Sequence, residues 1–269
     1  MGGLNHGGEL GSLHECWDWE RVSVFRHGVR DFFERGRLRG IWFEPVEFFR
    51  RGWGLNAGNV DEWSALFEFL GRGGRGFRVD VPDDPAVVSA LVELLPRAKL
   101  AYSDVPVRWM DRSGVDLAKA AVLRDGLTTE RATPGDMRAF AEIYLRCFEA
   151  QPVDWEAAVE NVMAYQEIPG WEGWMVWSAG QSVAGYGLFV RDGVAFLSSA
   201  ATLPEHRRRG IQRGLIARRV LRSLELGATR IETYAHEGGT SLKNLLGLGF
   251  ERESARHTFT HAGRTGGVA

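Results

Sequence analysis

Cysteine is nearly absent from this sequence, with Cys16 and Cys147 alone among 269 residues. That excludes a disulfide framework and a cysteine-built zinc centre in a chain of this length, and no metal is expected. Lysine is scarcer still relative to need, since Lys99, Lys119 and Lys243 are the whole complement and arginine carries nearly all positive charge. We attribute that bias to base composition and read no binding role from it. Charge of one sign is missing too, with 33 Lys and Arg against 35 Asp and Glu for a net charge of -2. A binder of phosphate backbones normally carries a clear basic excess, so no nucleic-acid partner is expected. No apolar run approaches the roughly 18 residues of a membrane span, and no charged start leads into an apolar signal core. Met1-Gly2 opens like a myristoylation signal, but His6 stands where Ser or Thr is needed. The expectation is a soluble cytoplasmic protein without a membrane partner.

What is present is an ordinary globular composition, 44% hydrophobic and 25% charged, long enough for two modest domains. Residues 1–12 are glycine-rich and read as a flexible start. From Cys16 to Arg35, Trp19, Val22, Phe25, Val29, Phe32 and Phe33 recur at mostly helical steps, which predicts one amphipathic helix ending at Gly36. Leu38 to Glu44 predicts a strand, and Asp61 an N-cap for a helix through Trp63, Leu66, Phe67 and Leu70. The run Gly71-Arg72-Gly73-Gly74-Arg75-Gly76 spells a dinucleotide fingerprint but follows a helix and precedes the strand-like Phe77 to Val81. The fingerprint needs the opposite order, so the run is a connection. Asp84 and Pro85 open a helix to Leu95, and Lys99 to Met110 alternates as a strand.

After a connector over 113–126, a second unit begins near Leu127. Thr133 caps a helix with Pro134 at its first position and Asp136 in its first turn. Phe140, Ile143, Tyr144 and Cys147 share one stripe there, so Cys147 is a filler. Asp154 caps another helix. Trp174 to Trp177, Val183 to Val190 and Val194 to Thr202 form an antiparallel meander. Then follow a crossover helix, a strand from Arg230 to Tyr234 parallel to the last of the meander, a helix from Gly238 to Leu246 and a final strand from Phe250 to Thr260.

Chemistry gathers where the meander ends. Pro204 stops the strand, Arg207, Arg208, Arg209 and Gly210 follow, and Ala217, Val220, Leu221 and Leu224 then recur at helical spacing. The arginines and glycine therefore sit at a helix N-terminus, whose unpartnered amides and dipole attract an anion. Gly210 lets that anion approach the backbone, and the guanidiniums add bidentate donors, so a phosphate or pyrophosphate is the expected ligand.

Arg207-x-x-Gly210-x-Gln212 after a strand resembles the acyl-CoA signature of the GNAT acetyltransferase superfamily, usually written Q/R-x-x-G-x-G/A. Leu248-Gly249-Phe250 is similar to the family's closing helix-to-strand signature. The resemblance implies an α/β protein with a GNAT fold over 127–262, its mixed sheet splayed at the centre, and a tail over 263–269. Because the element order from Asp61 to Met110 repeats that from Ile211 to Thr260, residues 13–112 read as a smaller α/β domain resembling an incomplete GNAT-like repeat. It also implies acetyl-CoA as co-substrate, held by Ala201, Thr202, Leu203, Arg208, Arg209, Gly210, Ile211, Gln212, Arg213 and Asn244. An amine would attack the thioester directly, with a main-chain N–H near Ala201 facing the oxyanion.

The family's usual acid is a tyrosine, and Leu245 occupies its position. Gly238 stands where an asparagine is common. Tyr234 and His236 are then the catalytic candidates, with Glu237 and Ser241 behind them. Trp155, Trp171, Trp174 and Trp177 fall where the family forms its acceptor side. The expected activity is acetyl transfer to a small-molecule amine or a peptide N-terminus, with a homodimer left open. Two alternatives stand beside it: a non-catalytic acyl-CoA-binding module, and a tandem-GNAT biosynthetic acyltransferase similar to mycothiol synthase. A pocket between the two units would favour the last.

Overall fold

The structure, a computed structural model, describes residues 13–263 apart from 45, 111–113, 125, 149–151 and 153. The start expected to be flexible, and all of the tail but Gly263, lie outside the described residues. In chain order the elements are α1 (Leu13–Ser23), β1 (Arg30–Arg35), β2 (Leu38–Phe43), β3 (Arg51–Trp53), α2 (Trp63–Leu70), β4 (Phe77–Pro82), α3 (Pro85–Leu94) and β5 (Ala98–Trp109). There follow α4 (Leu117–Ala120), β6 (Leu127–Arg131), α5 (Met137–Cys147), α6 (Trp155–Met163), β7 (Trp171–Ser178), β8 (Gln181–Arg191) and β9 (Val194–Thr202). The chain closes with α7 (Ile211–Glu225), β10 (Arg230–His236), α8 (Thr240–Leu246), β11 (Phe250–Arg252) and β12 (Arg256–His261). Among the described residues no helix is long and apolar enough to cross a membrane.

Helix starts follow local chemistry closely. Asp84 accepts from the Ala86 amide and Asp154 from the Ala157 amide, while Thr133 and Asp136 close a capping box. The expected Asp61 cap is corrected: Asp61 lies inside a 3-10 turn, Val60–Glu62, that leads into α2 without a side-chain cap. Asn59 organises that turn, its Oδ1 accepting from the Asn56 amide and from Trp63 Nε1 at 2.7 Å.

The single helix expected from Cys16 to Arg35 is also corrected. Helix α1 ends at Ser23, and the chain turns so that the amides of Arg26 and His27 both donate to Asn161 Oδ1 at 2.8 Å. Asn161 lies on α6, far along the chain, and its Nδ2 returns a bond to the His27 carbonyl. Beyond the turn, Asp31-Phe32-Phe33 extends as β1, and a hairpin through Gly36 (φ +54°) pairs it with β2. The final strand is likewise two pieces, broken at 253–255 where the Glu253 amide donates to the Pro106 carbonyl.

Among the described residues all twelve strands join one sheet in the order β1-β2-β3-β4-β12-β5-β10-β9-β8-β7-β6, with β11 also on β5. Pairs β3/β4 and β9/β10 are parallel and the rest are antiparallel. The succession α2-β4-α3-β5 repeats α7-β10-α8-β11/β12, each repeat opening on a parallel pair. Their last strands are exchanged: β12 lies between β4 and β5, and β5 lies against β10.

Alternation along the strands then fills two layers. Phe196 and Ala201 of β9 pack with α1, α5 and α6 on one face, around Trp17, Phe140 and Tyr165. Ala195 and Leu197 face the other way, against Ile216, Ala217 and Val220 of α7 and Leu242 and Leu245 of α8. Burying each of the larger side chains, Leu197, Ile216, Val220, Leu242 and Leu245, contributes about 1.5–3 kcal/mol.

Candidate functional site

Strands β9 and β10 pair only over Arg230↔Val194, Ile231↔Ala195 and Glu232↔Phe196. The Thr233 hydroxyl donates to the Leu197 carbonyl at 2.9 Å and marks the apex from which they part. Two features drive them apart. Ser199 takes a positive φ of +50°, and the β8/β9 register slips between Gly185 and Gly187, so β9 bends at a bulge. Meanwhile β10 is held by β5 on its other edge through His236↔Asp104.

A cavity of about 330 Å³ occupies the opening. Gln212, Ile216, Arg219, Ser241 and Leu245 line it from α7 and α8. On the α1 side its walls are Trp17, Arg21, Phe48, Arg51, Tyr102, Asp104, Tyr144 and Phe148, most of them from the first half of the chain.

At the α7 end stands the arginine turn. Arg208 (φ +62°) and Gly210 (φ +78°) both take the left-handed region, and no side chain caps α7. The first-turn amides therefore have no partner within the helix or from a cap. Arg207 Nε donates to the Thr202 carbonyl at 3.0 Å, which fixes the turn against the end of β9. Arg209 Nη1 lies 2.9 Å from His206 Nδ1, and Arg213 donates to the Gly247 carbonyl. A Cβ on Gly210 would meet only Arg124 Nε at 3.8 Å, so the approach to this backbone is open.

Gln212 is committed to α8. Its Nε2 donates to Ser241 Oγ at 2.6 Å, and Asn244 Nδ2 donates to its Oε1 at 2.7 Å. Two expected site residues, Gln212 and Asn244, thus bind each other. Ile211 is buried beneath the turn. Ala201 and Thr202 pair with Gly185 and Ala184 of β8, and beyond Phe196 their other edge has no β10 partner. The Leu203 amide is already donated to the Val183 carbonyl and its own carbonyl accepts from the His206 amide at 2.9 Å, so both groups are engaged within the fold.

The catalytic candidates lie on β10. Tyr234 stacks on Phe196 at 5.8 Å, and burial pushes its phenol well above the ordinary tyrosine range, so it stays protonated. Asp18, Arg21, Arg51 and Asp104 surround it. His236 is 69% exposed at the cavity mouth, with Nδ1 2.7 Å from Asp104 Oδ1 and its ring edge-on to Tyr102. Burial raises the Asp104 carboxyl above the usual range, with His236 and Arg51 pulling it back. Glu237 points elsewhere, paired with Arg252. Leu245 is buried in the cavity wall, so an apolar side chain stands where the family has its tyrosine.

The aromatic expectation is corrected. Trp155, Trp171, Trp174 and Trp177 do not line the cavity; Trp171 packs in the core behind Trp17 instead. Sequence reasoning also missed Arg21, Arg51, Asp104 and Arg219. Arg219 is buried on α7, bonded to the Ser198 and Gly187 carbonyls at 3.2 and 3.4 Å, and burial pulls its guanidinium down to about 10. One signal for Arg21 was present: Asp18 and Arg21 sit one turn apart beside Trp17 and Val22, charges set on an apolar helix face.

No protein-family model and no curated protein matches this sequence. Solved structures do match its fold. A GCN5-related N-acetyltransferase from Kribbella flavida superposes with a TM-score of 0.65 at 17% identity, covering 97% of this chain and 98% of that one. A tandem GNAT protein from the clavulanic acid biosynthesis pathway gives 0.65 at 13% identity, covering 90% and 86%. A GCN5-related N-acetyltransferase from Sphaerobacter thermophilus gives 0.60 at 13%, covering 85% and 81%.

Proposed function

We propose that this chain, which has the fold of the GCN5-related N-acetyltransferases, transfers an acetyl group from acetyl-CoA to an amine. One observation carries the reading: a single cavity runs from Gln212 in the first turn of the uncapped α7, beside the arginine turn, through the parted strands, to the half-buried Tyr234 and the His236–Asp104 contact. The turn from Arg208 to Arg213 suits a pyrophosphate, since it presents amides, positive charge and an unobstructed glycine together. The edge of β9 near Ala201, where β10 no longer pairs with it, suits an extended amide-bearing arm laid beside it. When bound, acetyl-CoA supplies an already activated thioester, so the protein chiefly positions the reactants.

The chain's own groups then handle protons. His236, held by Asp104, accepts the proton that an ammonium must lose before its nitrogen attacks. As the C–N bond forms and the C–S bond breaks, the electron pair leaves on sulfur. Tyr234, kept neutral by burial, is the donor available to that thiolate.

A second reading is favoured by where the cavity lies. Trp17, Arg21, Arg51 and Asp104 precede residue 112 and wall the same space as β9, β10 and α8. That arrangement supports a tandem-GNAT biosynthetic acyltransferase, in which the first unit builds the acceptor side.

Calorimetric titration of acetyl-CoA and free CoA into wild type and Arg208→Ala/Gly210→Glu tests the site. Tight binding lost in the variant supports the reading, and absence of binding to wild type overturns it. Thiol release with any amine then separates an enzyme from a non-catalytic acyl-CoA-binding module.

A further inference from the structure

The half of the cavity facing α1 carries polar groups that the transfer chemistry does not use. Arg21 and Arg51 both line it and both are only 4% exposed. Arg51 is engaged, with Nε 2.6 Å from Asp80 Oδ2 and Nη1 3.5 Å from Asp18 Oδ2. Arg21 is less so. Its Nη2 meets one oxygen of Asp18 at 2.6 Å, its Nη1 makes a long bond to the Tyr144 hydroxyl at 3.4 Å, and its buried Nε has no partner. The guanidinium lies over the rings of Phe49 and Phe48, at 4.7 and 5.5 Å, which fixes its plane.

Two more donors line the same cavity. The hydroxyls of Ser198 and Ser199, at the β9 bulge, are buried and unpartnered, and Ser198 is only 2% exposed. Leaving a buried polar group unpaired is costly, and Arg21 Nε can only donate while the hydroxyls are free to donate, so a ligand filling this cavity must bring acceptors. A carboxylate has that character: two oxygens, about four lone-pair sites and a plane that matches a guanidinium. An amide or alcohol has a single acceptor oxygen and cannot match the guanidinium with two.

Charge narrows the class further. Asp18 and Asp80 offset Arg21 and Arg51, and the remaining acid, Asp104, lies at the mouth beside His236. A polycation finds guanidiniums in its way, and a dianion finds Asp104. A zwitterion fits both ends, its ammonium toward His236 and Asp104 and its carboxylate toward Arg21 and the serines. Trp17, Phe48, Phe148 and Phe196 leave an apolar wall for the body between them.

We propose that the acceptor is an amine that also carries a carboxylate on an apolar body, such as an aromatic or aliphatic amino acid, with Arg21 as its carboxylate-binding residue. This rests on the acetyltransferase reading for the fate of the amine, but not for the binding of the carboxylate.

The test uses matched ligands on the intact chain. Thiol release from acetyl-CoA is measured with L-phenylalanine against phenethylamine and phenylalaninamide, with the aminophosphonate analogue of phenylalanine as a further arm. A kcat/KM at least tenfold higher for L-phenylalanine than for the other three is expected, and Arg21→Gln should bring its ratio to phenethylamine close to one. Ser198→Ala, a small change at a buried site, should reduce that ratio several-fold and stands in should Arg21→Gln fail to fold. Equal or better turnover of the amines without a carboxylate overturns the proposal, and so does a preference for the phosphonate.

Should no acceptor be turned over, the acetyltransferase reading fails by itself. N-acetylphenylalanine and N-acetylphenethylamine titrated into the protein–CoA mixture then decide the proposal. Tighter binding of the carboxylate ligand, lost in Arg21→Gln or weakened in Ser198→Ala, supports it; equal binding, or none, overturns it.

Discussion

His236 and Asp104 face each other across β10 and β5, register partners whose Nδ1 and Oδ1 are 2.7 Å apart. The strands come from opposite halves of the chain, so the candidate base is oriented by a residue more than a hundred positions away. His236→Gln is expected to lower kcat about 100-fold, the usual scale for losing a general base. Asp104→Asn leaves the imidazole in place but unanchored, and the loss should be nearer tenfold. Thiol-release rates of the three proteins check this; an unchanged kcat in His236→Gln assigns the base elsewhere.

Glu15 gives a pH-linked stability effect of defined sign. Burial raises its carboxyl from 4.5 to about 7, outweighing the attraction of Arg256 at 3.0 Å. A raised acid pKa means the fold favours the protonated form. Its stabilisation is complete below about pH 4.5 and is lost as pH rises through about 7, by up to about 3 kcal/mol. Glu15→Gln holds the side chain neutral throughout. Its melting temperature should exceed that of wild type at pH 8, with the gap closing toward pH 5. A gap independent of pH would show that Glu15 ionises freely in the fold.

Gln212 replaces the small residue common in the acyl-CoA signature, and the structure shows what it does there. Its bonds to Ser241 and Asn244 fasten α8 to the start of α7. Gln212→Ala removes both, at about 0.5–1.5 kcal/mol each. A fall in melting temperature of roughly 2–8 °C follows, on the ordinary scaling for a chain of this size. Affinity for CoA should change less than threefold, since the side chain is turned toward α8. A large loss of affinity would instead place Gln212 against the pyrophosphate.

Much of this was legible in the sequence wherever the cause was local. Asp84, Thr133 and Asp154 start their helices because capping involves only the next three residues, and Pro204 and Gly210 mark the turn before α7 for similar reasons. Two things were not legible. The end of α1 is set by Asn161, which supplies an acceptor from far along the chain. The wall of the cavity at Tyr102 and Asp104 depends on β5 lying against β10, and nothing local in Ala98–Trp109 selects that neighbour over β4. The signature located the arginine turn before α7; the exchange of strands located Asp104.

That exchange makes a prediction about folding units. In each repeat the final strand completes the other's sheet: β12 fills the gap between β4 and β5, and β5 covers the free edge of β10. A chain cut after residue 112 would keep β5 but lose β12, leaving β4 and β5 without their shared partner. A chain beginning at residue 127 would keep β12 but expose β10 beside the cavity. Open edges of this kind promote aggregation. Neither piece alone should give a cooperative thermal transition, whereas the two coexpressed should copurify and regain one. Either piece melting cooperatively alone, at a temperature near that of the whole chain, would mean that the exchanged strands add little. The arrangement also bears on function. Asp104, Arg51 and Arg21 reach the cavity only when the halves are joined, so acceptor-dependent thiol release should appear in the reassembled pair and in neither piece.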